Sequence, residues 1–239
     1  MFADAAIIGG TGVGSLLSEL GGQPVHIPTQ FGMVRGKKIQ VGAKQVVLLS
    51  RHSAGHAVPP HRVNYLAIAA AVRAVGAKVC FASAAVGSLN PEVGVGSLMV
   101  CDDFLDLTGR NLTAFDQMVI HTPFSQPFGT SARRALLDSA SRVAVEVIDG
   151  GVYIGLNGPR FETPAEIRML ARVGDVVGMT ASSEAIAMKE QGVEYGLLAI
   201  VTNLGEGLGG AVDHGLVGKA MVELGPKAVE IFKGAVESF

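Results

Sequence analysis

The stretch YLAIAAAVRAVGAKVCFASAAVG, Tyr65–Gly87, decides the fold class. Arg73 and Lys78 interrupt its apolar residues before they reach the run of about 20 that a membrane-spanning helix needs, so we interpret it as a buried helix followed by a buried strand. Short apolar or β-branched runs alternate with longer helical patterns along the rest of the chain, which ends in a helix predicted over about residues 215–236. Continuous apolar strands between helices are typical of a sheet that is covered on both faces. The sequence therefore predicts an α/β fold.

Length and composition indicate a single domain that acts on small molecules. The chain has 239 residues and no linker-like segment, so we expect one domain over residues 1–239. Its formal net charge of −2 excludes the broad basic surface by which proteins bind nucleic acids or anionic membranes. Hydrophobic residues make up 49% of the chain, and its mean hydropathy is +0.40. So apolar a chain is expected to bury further surface between copies of itself, although a well-packed monomer fits the same composition.

The two cysteines suit a reducing compartment. Cys80 and Cys101 lie far apart in apolar, strand-like segments, which is not the pattern of a disulfide framework. The residues ADAAIIGG near the N-terminus do not follow a signal peptide. We therefore expect a cytoplasmic location.

A glycine-rich loop follows the first predicted strand. In IIGGTGVGS, Ile7–Ser15, backbone N–H groups could hold an anion, and Thr11 could add a hydroxyl donor. The loop is not a dinucleotide-binding fingerprint, because Ser15 stands where the third glycine belongs and no acidic residue follows about 20 residues later. A plain turn between strand and helix fits the same residues, so both interpretations stay open.

Basic residues crowd the loop after the predicted strand QVVLLS. They are Arg51, His52, His56, His61 and Arg62. Histidines at these spacings could hold a metal, but no Asp, Glu or Cys lies among them to complete such a site. An arginine that leaves a strand end is better suited to bind an oxyanion through two N–H groups. The alternative is a solvated basic loop without a ligand.

Two further strand ends carry small or polar residues. Ala85 lies in FASAAVG, where small side chains let a ligand approach the backbone amides, although dense helix packing explains the same alanines. In VVGMTASSEA, Ser182 is predicted as a helix N-cap with Glu184 in the first turn. Thr180 then stands beside a helix N-terminus, where anions are favoured. Met179 fits either the core or an apolar surface for a sugar ring.

The segment NGPRFETPAEI, which begins at residue 157, places a carboxylate just before a predicted helix. Thr163, Pro164 and Glu166 predict a capping box with proline at the first helical position. Glu162 then lies outside the helix, where nearby amides favour its ionised form, and Phe161 beside it offers an aromatic face. An incidental exposed glutamate next to a cap fits the same pattern.

Six motifs, taken in this order, carry a resemblance to a known family: IIGGTG, RH before PPHRVNY, AAVGSL, NGPRFETPAEI, VGMTASSEA and TN. Over about residues 6–235 the chain resembles the trimeric purine nucleoside phosphorylases and methylthioadenosine phosphorylases. The resemblance implies a mixed central sheet flanked by helices. It also implies cleavage of the glycosidic bond of a purine nucleoside by inorganic phosphate, which releases the base and α-ribose 1-phosphate. Phosphate would be a co-substrate, no metal or organic cofactor would be needed, and the assembly would be a homotrimer or a dimer of trimers.

The resemblance implies a role for each matching residue. The phosphate site would consist of Thr11, Arg51, His52, the Ala85 amide and Thr180. The nucleoside site would have Met179 against the ribose, Phe161 against the purine, Asn203 at N7 or O6, and His121 near the 5′ side, reaching into a neighbouring subunit.

Two residues predict which purine is bound. Ionised Glu162 accepts a hydrogen bond from N1–H of a 6-oxopurine but repels the bare N1 of a 6-aminopurine, and an unpaired group of this kind costs about 1–3 kcal/mol. Family members that act on methylthioadenosine typically have Ser and Asp where this chain has Glu162 and Asn203. We therefore expect Glu162 and Asn203 to be the catalytic residues of a phosphorylase that acts on inosine or guanosine in purine salvage.

The residues expected near the 5′ group and at one phosphate contact match the family less uniformly. PPHRVNY resembles the methylthio-nucleoside branch, whereas His214 resembles the histidine that binds a 5′-hydroxyl, so S-methyl-5′-thioinosine or S-methyl-5′-thioadenosine is the alternative substrate. Ala84 departs from the family, which usually has Thr or Asn there. Weaker phosphate binding, a changed substrate, or compensation by Ser83 would each follow from this departure.

Overall fold

The computed structural model describes residues 2–53, 57–209 and 214–239. His56 lies outside the described residues, and so does the side chain of His214. Within the described ranges, every helix is too short or too polar to span a bilayer.

Eleven strands form one mixed sheet in the described part of the chain. Their bounds are Ala5–Gly9 (β1), Gln23–Thr29 (β2), Gly32–Val41 (β3), Lys44–Ser50 (β4), Val79–Ser88 (β5), Leu98–Val100 (β6), Asp103–Asp106 (β7), Ile148–Asp149 (β8), Val152–Gly155 (β9), Val176–Gly178 (β10) and Glu194–Leu204 (β11).

Six α-helices are present in the same ranges. They are Val13–Glu19 (α1), Tyr65–Ala74 (α2), Thr130–Arg142 (α3), Pro164–Leu170 (α4), Ala181–Glu190 (α5) and His214–Ser238 (α6). A short 3-10 helix covers Pro60–Arg62. The predicted helix and strand of the stretch from Tyr65 to Gly87 are confirmed as α2 and β5.

The sheet forks at β5. On one edge, β5 pairs in parallel with β11 along the whole length of β5, from Val79 to Ser88. On the other edge, parallel β1 pairs only as far as Ala82, and antiparallel β10 begins only at Gly87. Between these two residues that edge of β5 has no strand neighbour in the described part of the chain. One branch of the sheet continues through β1, β4, β3 and β2, and the other through β10, β9 and β7.

Both faces of the sheet are covered, as the continuous apolar strands predict. Alternate residues of β5 enter two separate clusters: Cys80 and Ala82 pack with α2 and α5, and Phe81 packs with α1, α3 and α6. The α/β fold with a mixed central sheet flanked by helices is therefore confirmed.

The hairpin of β2 and β3 was not predicted from the sequence, and the first helix was expected only where the glycine loop is interpreted as a turn. β2 and β3 pair antiparallel at the edge of the sheet, with the register Gln23↔Lys38 to Thr29↔Gly32. Their residues are largely exposed or half-buried, so the apolar signal of a buried strand is absent. α1 follows directly on the glycine loop and is only seven residues long. It is too short to show a clear helical repeat of apolar residues.

The predicted capping box at the start of α4 is confirmed. The Glu166 amide donates to Thr163 Oγ1 at 3.2 Å, the Thr163 amide donates to Glu166 Oε2 at 2.7 Å, and Pro164 holds the first turn. Hydrogen bonds from Arg160 and from the Thr163 amide lower the pKa of Glu166 to about 2. The helix therefore begins without any contribution from Glu162.

Candidate functional site

A cavity of about 380 Å³ lies beside the unpaired edge of β5, at the fork of the sheet. Residues that follow β1, β4, β9 and β10, together with the last residues of β11, surround it. In open α/β sheets, ligands bind at the carboxyl ends of strands where the strand order changes. The cavity therefore occupies the position that this fold favours for a ligand.

Ten of the residues singled out from the sequence line this cavity. They are Thr11, Arg51, His52, Ala84, Ala85, Phe161, Glu162, Met179, Thr180 and Asn203. His121 is exposed on the segment between β7 and α3 and is not among the lining residues of this chain. His214 begins α6, and its side chain lies outside the described residues. One chain thus brings together the predicted site residues except for these two histidines.

A buried carboxylate holds the Arg51 guanidinium in place. Arg51 Nε and one Nη lie 2.6 and 2.7 Å from the two Glu184 oxygens, and the other Nη donates to the Ser83 carbonyl at 3.1 Å. Burial lowers the pKa of Arg51, but the charge and hydrogen bonds of Glu184 outweigh burial and raise this pKa above its usual value. These bonds use three of the five N–H groups of a guanidinium. Two N–H donors are left for an oxyanion in the cavity that Arg51 lines.

Glu184 has a buried role that its position in a first helical turn does not predict. Its side chain is 1% exposed, and it accepts hydrogen bonds from Arg51 and, at 2.6 Å, from Tyr195 Oη. Burial and the Glu184 charge raise the pKa of Tyr195 well above its usual value, so the hydroxyl keeps its proton. Glu184 and Arg51 are 133 residues apart, and no local pattern could have joined them.

The N-terminus of α5 differs from the prediction in its cap, and two of its amides are occupied. The helix begins at Ala181 with Thr180, rather than Ser182, as its N-cap. The amides of Thr180 and Ala181 both donate to Tyr153 Oη, at 3.1 and 3.2 Å, while Ser182 Oγ donates to Asp106 at 2.9 Å. The prediction of Ser182 as the cap is therefore wrong. At this position the Thr180 hydroxyl, rather than these two amides, is available to an anion.

His52 is fixed by the loop that it begins. Its Nδ1 lies 2.8 Å from the Val58 carbonyl, and the Val58 amide donates to the His52 carbonyl at 3.0 Å. Because a carbonyl oxygen only accepts, Nδ1 carries the proton in this contact. His52 is 7% exposed, and it lines the cavity in this tautomer.

Ser83 does not supply the hydroxyl that Ala84 lacks. Ser83 is buried, lies outside the lining of the cavity, and accepts a hydrogen bond from the Gly10 amide at 3.0 Å. A Cβ on Gly10 would come within 2.5 Å of the Ser83 carbonyl and 2.9 Å of Arg51 Nη1, so glycine is required where β1 meets β5. Ala84 and Ala85 line the cavity with small side chains only.

Glu162 is half-buried in the cavity wall, and its electrostatics differ from the prediction. Burial raises the pKa of Glu162 above its ordinary value, and the charges of Glu166 and Glu206 add to this rise. The sequence pattern predicted that nearby helix amides favour the ionised form. In the structure the Thr163 amide is taken by Glu166. A hydrogen bond from the backbone of Glu162 and the charge of Arg160 lower the pKa, but they do not outweigh burial. Phe161, 39% exposed, stands beside Glu162 in the cavity lining.

Asn203 is held at the end of β11 with one donor to spare. Its Oδ1 accepts from Thr202 Oγ1 at 3.0 Å, and its Nδ2 donates to the Leu204 carbonyl at 2.9 Å. A primary amide nitrogen has two N–H groups, so one remains for a ligand. Gly87 makes room for this amide, since a Cβ there would lie 3.1 Å from Asn203 Nδ2.

The family model of the phosphorylase superfamily matches residues 4–237. The chain belongs to this superfamily. The resemblance carried by the six sequence motifs is confirmed at this level.

Relatives of this phosphorylase cover almost the whole chain. It is 38% identical over 240 residues to a probable S-methyl-5′-thioinosine phosphorylase from Methanopyrus kandleri, with 98% of this chain and 92% of the relative covered. It is 35% identical over 242 residues to a 6-oxopurine nucleoside phosphorylase from Pyrococcus furiosus, with 97% and 91% covered. A solved structure of methylthioadenosine phosphorylase from Schistosoma mansoni in complex with adenine has a TM-score of 0.91 and 28% identity, with 98% and 91% covered.

Substitution of Gly87 with alanine tests whether the Asn203 amide contributes to the site of this phosphorylase. The new Cβ would press on Asn203 Nδ2 at 3.1 Å and on Val177 Cγ1 at 3.3 Å. A displacement of a few tenths of an ångström should lower nucleoside turnover on the order of tenfold. Steady-state kinetics of Gly87→Ala measure this effect, with Gly94→Ala as the control because a Cβ at Gly94 would meet no atom within 4 Å. Equal turnover in both variants would contradict it.

Proposed function

We propose that this phosphorylase cleaves 6-oxopurine nucleosides, inosine or guanosine, with inorganic phosphate. The observation that carries the proposal is that one cavity holds Glu162 and Asn203 together with Arg51. A carboxylate acceptor and an amide donor suit the N1–H group and the N7 or O6 atom of a 6-oxopurine. Arginine N–H groups suit the oxygens of phosphate. The name of the relative from Pyrococcus furiosus supports the same activity.

In the proposed reaction a phosphate oxygen attacks C1′ of the ribose as the C1′–N9 bond breaks. The bonding electrons leave with the purine, so positive charge develops on the sugar and negative charge on the base. Arg51, with the hydroxyls of Thr11 and Thr180 and the Ala85 amide, holds the phosphate on one side. The second N–H of Asn203 stabilises the departing base at N7, and Glu162 accepts from N1–H. The base takes a proton from solvent, and α-ribose 1-phosphate is the other product.

A second candidate substrate is S-methyl-5′-thioinosine. Ala57, Pro59 and Pro60 line the cavity and give part of its wall an apolar surface that suits a methylthio group. The relative from Methanopyrus kandleri carries this activity in its name. The base contacts of Glu162 and Asn203 would be the same for both nucleosides, so only the 5′ end distinguishes them.

Initial rates with four nucleosides separate these two candidates from each other, and also from a hydrolase and from a non-catalytic nucleoside-binding protein. Inosine, guanosine, S-methyl-5′-thioinosine and S-methyl-5′-thioadenosine are compared with phosphate and in phosphate-free buffer. We expect base release from the 6-oxopurine nucleosides, and only when phosphate is present. Faster cleavage of S-methyl-5′-thioadenosine would contradict the 6-oxopurine assignment, cleavage without phosphate would indicate a hydrolase, and binding without release would indicate a nucleoside-binding protein.

We also propose that the active assembly is a homotrimer, or a dimer of trimers, in which the segment carrying His121 reaches a neighbouring copy. Met118, Val119 and Ile120, directly before His121, are 61%, 87% and 48% exposed, which is unusual for three consecutive apolar side chains. The segment is anchored to α5 at both ends. Glu190 accepts from Thr113 Oγ1 at 2.9 Å and from the Ala114 amide, and Lys189 donates to the Gln126 carbonyl at 2.8 Å.

Substitution of Val119 with aspartate tests the assembly. A charge in the centre of an apolar contact should dissociate the oligomer, and it should also lower turnover if His121 completes a neighbouring site. Light scattering and kinetics are compared with Val222→Asp, because Val222 is 80% exposed on α6. A wild-type protein that is monomeric at assay concentrations, or an oligomer unaffected by Val119→Asp, would contradict the proposal.

Phosphate is the only co-substrate in this proposal, and no metal or organic cofactor takes part. The described residues contain no group of three or more His, Cys, Asp or Glu that could hold a metal ion. A cytoplasmic location accords with two thiols that are buried and unpaired in the structure.

A further inference from the structure

We propose that Arg110 is a positioning residue that fixes the base-binding loop of the cavity relative to its ribose end; this rests on the proposed function. Arg110 follows β7 and is not among the residues that line the cavity. It is therefore absent from the set of groups that would touch the nucleoside or phosphate. Its effect on the reaction must pass through the loops that it joins.

The Arg110 guanidinium bonds to both loops that form the nucleoside end of the cavity. Its Nε donates to Asn157 Oδ1 at 2.9 Å, and one Nη donates to the Asn157 carbonyl at 3.1 Å and to the Met179 carbonyl at 3.4 Å. The other Nη donates to Ser183 Oγ at 2.7 Å. Asn157 lies in the loop between β9 and α4, which carries Phe161 and Glu162. One cation therefore links the wall of the base to the wall of the ribose.

A third wall is attached through an aromatic ring. Arg110 Cζ lies 5.0 Å from the centre of the Tyr65 ring, within the range of a cation–π contact. Tyr65 Oη donates to the Pro60 carbonyl at 2.8 Å, and Pro60 lines the cavity. No carboxylate of the described residues forms an ion pair with Arg110, so its hydrogen-bond acceptors are neutral. The planar fork of N–H groups, rather than charge pairing, makes this a position for arginine.

The two loops do not depend on Arg110 equally. The start of α5, which carries Thr180, is held independently because Tyr153 Oη accepts from the amides of Thr180 and Ala181. Arg51 is held by Glu184. Loss of Arg110 should therefore release the base-binding loop and leave the phosphate end in place.

The experiment compares Arg110→Ala, Arg110→Lys and Arg133→Ala with the wild type. Misplacement of reacting groups by about 1 Å costs about 100-fold in rate, so kcat/KM for inosine should fall by this order in Arg110→Ala while the KM for phosphate is nearly unchanged. Millimolar guanidinium chloride should restore part of the activity, because the free ion can refill the site. Arg110→Lys keeps the positive charge but loses the planar set of N–H donors, so its kcat/KM should be close to that of Arg110→Ala. Arg133 is the matched control, since it donates to the Cys101 carbonyl at 3.0 Å and pairs with Asp149, away from the cavity.

The outcomes distinguish this proposal from the proposed function. An Arg110→Ala enzyme with wild-type kcat/KM, or one with equal losses for nucleoside and phosphate and no rescue by guanidinium, would overturn the positioning role. If Arg110→Ala does not fold, Arg110→Lys is used as the test instead. A lysine variant with wild-type kcat/KM would then overturn the proposal. A wild-type protein that does not cleave inosine overturns the proposed function alone. In that case, dissociation constants for hypoxanthine and phosphate, measured by calorimetry on the same variants, should show weaker hypoxanthine binding only.

Discussion

Glu184→Ala is expected to lower the free energy of unfolding by about 3–5 kcal/mol, because it leaves the buried Arg51 guanidinium without its counter-charge. Both side chains are 1% exposed, so water cannot replace the carboxylate without a structural change. Tyr195 Oη loses its acceptor as well. Urea unfolding of the purified variant measures the effect. The KM for phosphate should rise in parallel, since Arg51 is no longer held at the cavity.

Two comparisons isolate this effect. Glu230→Ala removes a partner of Lys233 from an exposed pair, and such pairs contribute about 0–1 kcal/mol. The double variant Arg51→Met, Glu184→Leu removes both charges and should recover much of the stability, but not phosphorolysis. A Glu184→Ala protein as stable as Glu230→Ala would show that the pair is not a buried structural element. Recovery of activity in the double variant would contradict the assignment of Arg51 to phosphate.

Glu162→Ala is expected to reduce kcat/KM for inosine roughly 30- to 150-fold, which corresponds to a loss of about 2–3 kcal/mol from an unpaired N1–H group. Folding should not suffer. Burial raises the pKa of Glu162 in the folded protein, so the folded state binds this proton more tightly than the unfolded chain does. The contribution of Glu162 to stability is then present at low pH and lost as pH rises through the folded pKa. At neutral pH, removal of the Glu162 carboxylate should therefore not lower the free energy of unfolding.

The contrast between turnover and folding is the test of Glu162. Kinetics with inosine and S-methyl-5′-thioadenosine are measured beside urea unfolding, with Glu166→Ala as the control. Glu166 caps α4, and its loss should cost stability more than turnover. Equal losses of turnover and stability in Glu162→Ala would reduce Glu162 to a structural residue. A loss shared equally by both nucleosides would contradict its role in base selection.

The protonation of Glu162 also predicts a pH dependence. The ionised carboxylate accepts a hydrogen bond from N1–H of the base. The protonated carboxyl cannot accept this bond when its O–H group points toward the base. As pH falls through the pKa, kcat/KM for inosine should therefore fall. The raised pKa places this acid limb above that of an ordinary glutamate, which lies at about pH 4.3. Glu162→Gln has no such limb. Because phosphate titrates identically with both proteins, the difference between the two profiles reports Glu162.

The sequence predicted elements and motifs whose signals are local. The apolar run of β5, the capping box of Thr163 and Glu166, and the six motifs in order all lie within short segments. The cavity then brings nine of the expected site residues together, because strand ends in this fold converge. Their roles toward phosphate and nucleoside remain predictions.

The sequence could not predict contacts between distant elements. Nothing near Glu184 indicates Arg51, and nothing near Thr180 indicates that the hydroxyl of Tyr153 takes the helix amides. The sequence has no signal for Arg110, because its acceptors are backbone carbonyls and neutral side chains without a charge pattern. Caps and charge pairs within one helix have a local pattern that can be searched for in a sequence. Such neutral tertiary acceptors have no signature there.

The fork of the sheet separates the proposed base contact of Glu162 from two of the proposed phosphate contacts. Thr11 and Arg51 follow strands of one branch, whereas Glu162 follows β9 of the other. Thr180, a further residue of the proposed phosphate site, follows β10 of that second branch, and Asn203 lies on β11. Substitutions around Glu162 and Asn203 can therefore exchange one base for another while the two residues of the opposite branch still hold the anion. A chain built in this way can diversify the nucleosides it accepts and keep a single shared co-substrate.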